Sequence, residues 1–202
     1  MSDLWLSFSY SPQTIGWIAI AAGASGLGAL VCAVLSVAFG RTFSRLYAIF
    51  VGLAAVLTAG IAMLLFPQHR LIEEQLALVA FALALVGAFI AALGAVAAAT
   101  SAVSWFLAQL YVASGYALIG LWLIIITISG GDALSLPHRV VSMGWFAGVV
   151  MALGLAALPG VLRRTETEQA APWLIRNIGR AGNLGSLLLF PMWCLWLGIS
   201  KF

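Results

Sequence analysis

The sequence predicts an all-α fold, a six-helix transmembrane bundle with short loops, from its composition, its charge and the length of its apolar runs. The 202 residues are 64% hydrophobic and only 7% charged, against roughly 25% charged in ordinary globular proteins. Nine Lys and Arg with six Asp and Glu cannot clothe a water-facing surface. Lipid must be the main solvent. Six runs free of Asp, Glu, Lys and Arg cover about 16–39, 46–66, 76–99, 103–128, 140–162 and 181–200. A helix needs about 20 apolar residues to cross ~30 Å of hydrocarbon at 1.5 Å per residue. Backbone groups in lipid must be paired inside a helix or a closed barrel, and no two-residue alternation suggests a barrel. The whole chain, 1–202, therefore reads as a single integral membrane domain.

The first run is expected to stay in the membrane with its N-terminus outside. No Lys or Arg precedes it, so the positive region of a cleavable signal is missing, and Arg41 and Arg45 follow it. The stretch Leu6–Tyr10 is expected on the membrane surface. The second run leads to His69, Arg70, Glu73 and Glu74. Only Thr100, Ser101 and Ser104 separate the third run from the fourth. One unbroken helix there would overshoot the bilayer, so a tight polar turn is expected. The sixth run carries Pro191, which removes a hydrogen bond and crowds the Leu187 carbonyl, predicting a kink. Before it, Pro172 suits a first helical turn, with Leu174, Ile175 and Ile178 on one face and Arg176 and Arg180 on the other. This is either an interfacial helix near 171–180, its arginines on lipid head groups, or an ordinary positively charged loop.

Orientation follows from the basic residues. Arg41, Arg45, Arg163, Arg164, Arg176 and Arg180 fall on one side, and Arg70, Arg139 and Lys201 on the other. The richer side is expected in the cytoplasm, which puts both termini outside. Small residues recur along the spans, and Gly144 and Gly148, extended by Ala152, form a close-approach motif expected to pack inside the bundle.

Several chemistries are excluded. No carboxylate or lysine lies within a run, so proton relays and a retinal Schiff base have no anchor. No phosphate loop or paired zinc motif occurs, and the few scattered basic residues do not suit nucleic acid. Cys32 and Cys194 sit in apolar runs and read as small apolar residues. The chain is not expected to be an enzyme. Two candidate sites remain. Gln109, Tyr116 and Asn183 lie inside spans, where an amide needs a partner; an interhelical Gln109–Asn183 contact is the simplest arrangement, and a ligand site the sharper one. His69 and His138 share one predicted face with Glu73, Glu74 and Asp132, and they serve either as metal or tetrapyrrole ligands or as solvated loop residues.

The runs Phe190-Pro191-Met192-Trp193-Cys194-Leu195-Trp196-Leu197-Gly198 and Met143-Gly144-Trp145-Phe146-Ala147-Gly148 resemble a pattern in uncharacterised bacterial polytopic membrane proteins grouped as a domain of unknown function. The resemblance covers the last two spans. It implies a bacterial inner membrane and assigns no activity and no site residue. Two roles are therefore carried forward. The first is a non-catalytic membrane subunit or scaffold, surrounded by lipid and packed against other membrane proteins. The alternative is a small transporter or binder of a lipophilic ligand (quinone, carotenoid, pigment or lipid), with haem or any other cofactor left unassigned.

Overall fold

The computed structural model describes residues 11–71, 73–130, 136–167 and 173–202; for 130, 156–167, 173–176, 178 and 179 it gives the helical course alone. The helices are α1 (Pro12–Phe39), α2 (Arg41–Arg70), α3 (Glu74–Thr100), α4 (Trp105–Gly130), α5 (His138–Thr167), α6 (Trp173–Leu184) and α7 (Phe190–Ile199), with a π turn, Gly185–Leu189, joining α6 to α7. Among the described residues six helices are long and apolar enough to cross a membrane. The chain is an integral membrane protein, and the expected six-helix bundle stands. Leu6–Tyr10, Asp132 and residues 171–172 lie outside the described residues.

The short loops have local causes. Gly40 alone joins α1 to α2, at φ 75°, a conformation other residues resist. The polar turn expected between the third and fourth spans is present. Ser101 adopts the left-handed conformation (φ 57°), and its N–H and that of Ala102 return to Ala98 and Ala97 carbonyls. Ser104 then caps α4, accepting the Leu107 N–H at 3.3 Å. At the chain's start, Ser11 caps α1 through Thr14, and Pro12 takes the first helical position.

Consecutive helices pack side by side, and α7 returns against α1 to close the ring. Inside and outside differ by size rather than polarity. On α3 the buried positions are Ala80, Ala84, Gly87, Ala91, Gly94 and Ala98, while Leu78, Val86, Phe89, Leu93 and Val96 are exposed. Lipid removes the hydrophobic drive between helices, so contact comes from close approach of backbones. A Cβ at Gly94 would come within 2.8 Å of the Ala108 carbonyl, and one at Gly115 would run into the Gly87 carbonyl. The same holds at Gly198 against Gly16.

The last span sharpens two expectations. Residues 173–184 are a helix and not a loop, and they continue without a break through the π turn into the last span. Just before Pro191 the helix widens. The Phe190 N–H bonds back to the Gly185 carbonyl, a five-residue step. The proline ring fills the space over Gly26, where any Cβ would collide with it, and the Pro191 carbonyl lies 2.8 Å from where a Cβ on Gly23 would be. Neighbours also change along this span: α6 packs along α5, the π turn lies against both α1 and α5, and α7 lies mainly on α1. Gly182 meets Gly154 there, a Cβ on the former falling 2.8 Å from the latter's Cα.

Candidate functional site

Helices α2 and α4 run in the same direction, and two polar contacts set their register. Tyr47 donates its hydroxyl to Gln109 Oε1 at 3.2 Å. One turn further along α2 and two along α4, Tyr116 donates to the Val51 carbonyl at 3.0 Å. Tyr116 is 5% exposed, with its ring edge-on to Phe190 at 6.2 Å. Tyr47 lies against Trp105 at 6.0 Å. One group is left over. Gln109 Nε2 is buried and has no hydrogen-bond partner among the described residues. A buried amide in that state costs on the order of 1–3 kcal/mol.

Across from these residues stand Asn183, Ser186 and Leu187 of the widened last span, with Gly26 and Ala29 of α1 closing the side. Together with Tyr47, Val51, Val112 and Tyr116 they line a cleft of about 10 Å³, room for about one water-sized group. Asn183 is exposed at its opening, and Ser186 donates its hydroxyl to the Asn183 carbonyl at 2.9 Å. The expected Gln109–Asn183 contact is not made, because Gln109 turns to Tyr47 and Asn183 stands on the far wall.

Comparison adds no relative. No family model, no curated protein and no solved structure matches the chain.

The other candidates are dispersed. His69, 2% exposed at the end of α2, places Nε2 2.7 Å from Ser129 Oγ. Ser129 gives its own proton to the Ile125 carbonyl at 2.7 Å, so His69 Nε2 is the donor. That nitrogen is thereby occupied. His138 is exposed at the first position of α5. Among the described residues no group of three or more His, Cys, Asp or Glu is placed to hold a metal. Arg70 pairs with Glu74 on the surface. Arg180 is exposed, and the Arg176 side chain lies outside the described residues.

Gly144 and Gly148 face inward. Gly144 makes the notch for Trp193, whose Nε1 would lie 2.6 Å from a Cβ there and donates to the Val140 carbonyl at 3.0 Å. Gly148 crosses Gly120, each where the other's carbonyl leaves no room for a side chain. Cys32 and Cys194 are buried and unbridged.

Sequence reasoning missed Tyr47. Tyr47 and Val51 are four residues apart on α2, while their partners Gln109 and Tyr116 are seven apart on α4, so the two contacts close through the length of the tyrosine side chains and no shared spacing marks the pair. Ser186, one of the small and polar residues before Pro191, reaches the cleft on the π turn.

Proposed function

We propose that this is a non-catalytic membrane protein that binds a lipophilic molecule, holding the molecule's polar end in the cleft of Tyr47, Tyr116 and Asn183. The observation that carries this reading is the cleft itself, inside the bundle, whose mostly apolar walls carry the polar groups of Tyr47, Tyr116, Asn183 and Ser186. Sites for such molecules are apolar with a few placed polar groups, as here. The cleft is far smaller than a whole quinone or carotenoid, so only the polar end enters and the apolar body stays in lipid. The subunit or scaffold role drew on the absence of charged pathway residues and of soluble domains, and on an excess of small-residue faces. Those of Gly23, Gly26, Gly144 and Gly148 are used inside the bundle, which leaves that role with less to stand on.

Mass spectrometry of lipids extracted from the purified native protein tests the proposal. A molecule enriched over bulk lipid, and lost in Gln109→Leu, is expected. Bulk lipid alone, with an associated membrane subunit, would favour the scaffold. The resemblance of the last two spans supports a bacterial inner membrane, and the basic residues support both termini outside. Reporter fusions after Glu168 and at Phe202 should then give opposite signals, the second active outside.

A further inference from the structure

We propose that the gap between α1 and α6 holds one anionic phospholipid, with the lipid's phosphate on Arg180. This site lies outside the cleft and goes beyond the binder reading. It begins where the last span leaves α1. Gly198 stands against Gly16, and Pro191 over Gly26, but α6 packs along α5. Counting back along that antiparallel pair brings Arg180 level with Val34 to Val37. Eleven residues make about three helical turns, so Val34 repeats the position of Gly23 on α1, and Val37 that of Gly26. The face that meets the last span further along is bare here, and Val34 and Val37 are 65% and 90% exposed.

The other wall of the gap is set by Gly182, which is pressed against Gly154 of α5. Arg180 and Leu184 each lie two residues from it, about 200° around the helix. Both therefore face away from α5, and both are exposed. Asn183, one turn from Arg180, lines the cleft together with Gly26 and Ala29 of α1, so this side of α6 is the side where α1 stands. The gap is thus apolar on α1, and apolar with one cation on α6.

That cation selects the occupant. A guanidinium against hydrocarbon needs an anion or a route to water. The carboxylates whose side chains are described, Glu73 and Glu74, stand at the far end of the bundle, and among the described residues none pairs with Arg180. A helical side chain leans towards the helix N-terminus, which for α6 is the nearer membrane surface, and a long basic chain reaches the head-group level there. Arginine binds phosphate through paired hydrogen bonds. A zwitterionic head brings its own cation to that phosphate, so a net anionic head is favoured. The acyl chain then runs inward along Val37, Val34 and Leu184, to where the π turn meets α1.

Native mass spectrometry of the full chain, titrated with phosphatidylglycerol or with phosphatidylcholine of the same acyl chains, tests this. Phosphatidylglycerol should be retained about fivefold more, the factor for one arginine near an anionic membrane surface. Arg180→Gln should abolish the preference, and Arg180→Lys should keep most of it. Arg45→Gln is the control. Arg45 is also exposed, but it shares a face with Gly52, seven residues on, which lies on Ala95 of α3, so the preference should survive. Val34→Trp fills the gap and should lower retention of both lipids, with thermal unfolding checking that each variant is folded. Equal retention of the two lipids by the unaltered chain overturns the site. So does an equal loss in Arg45→Gln and Arg180→Gln, or a dimer that carries no lipid. Gln109→Leu should leave the preference intact, so this site and the cleft stand or fall separately.

Discussion

The two ends of the bundle are built from the same residue types and reach different results. At the end holding Gly16 and Gly198, polar groups are paired and helices touch. Trp193 donates to the Val140 carbonyl, His69 meets Ser129, and Trp122 stands perpendicular to Trp193 at 6.0 Å. Phe202 closes over Trp17 at 5.2 Å. At the other end α1 and α6 separate, Val37 is 90% exposed, and Gln109 keeps a buried N–H without a described partner. Glycine content does not explain the difference, since Gly182 and Gly154 pack closely at the open end. The π turn does. It lets one span serve two neighbours, and the cleft lies where the change occurs.

The largest expected effect breaks this comparison at its tight end. A side chain at Gly198 would stand 2.9 Å from the Gly16 carbonyl and 2.6 Å from Ile20 Cγ1, so Gly198→Leu should cost about 3 kcal/mol or more. At the open end a Cβ on Gly154 meets nothing closer than 3.8 Å. Gly154→Ala should therefore be neutral or stabilise by up to ~1 kcal/mol, through helix propensity. Detergent-titrated unfolding of both variants reads the contrast, and similar losses would remove it.

A smaller difference separates paired from unpaired polar groups. Trp193→Phe deprives the Val140 carbonyl of its extra donor and trims a fully buried ring, a loss of about 1–2 kcal/mol. Gln109→Leu removes an amide whose N–H is unmatched among the described residues but also the acceptor of the Tyr47 hydroxyl; the two effects oppose each other, so without ligand it should change stability by less than ~0.5 kcal/mol, in either direction. Tyr116→Phe falls between the two, since it gives up one contact to a carbonyl. Contacts of this kind in membranes average about 0.6 kcal/mol. The order Trp193, Tyr116, Gln109 in ligand-free protein is the signature; a costly Gln109→Leu would mean that the amide is satisfied within the protein.

Much of the fold was legible, because the transfer of apolar residues into lipid is a local property. Six uncharged runs named six spans, and the three polar residues at 100–104 marked a turn that the serine geometry bears out. The helices extend beyond those runs, as α2 does to Arg70, since propagating a helix through a few polar residues costs little once it is nucleated. The site was legible only in part. Gln109, Tyr116 and Asn183 stood out as amides and a phenol in lipid, yet the partner of Gln109 was missed.

By itself, then, the sequence determined that the chain crosses a membrane, how often, and that glycine and alanine would face inward. Hydropathy decides the first two and side-chain size the third, and both are carried by single residues. Only the tertiary structure decided that Gln109 meets Tyr47, that Trp193 fills the notch at Gly144, and that the last span changes neighbours at Gly185–Leu189. Within the bilayer these helices are apolar nearly all round, and the spacing of small residues marks which side points inward but not which helix that side meets. Register is settled where glycines let two backbones touch, and that depends on both helices at once.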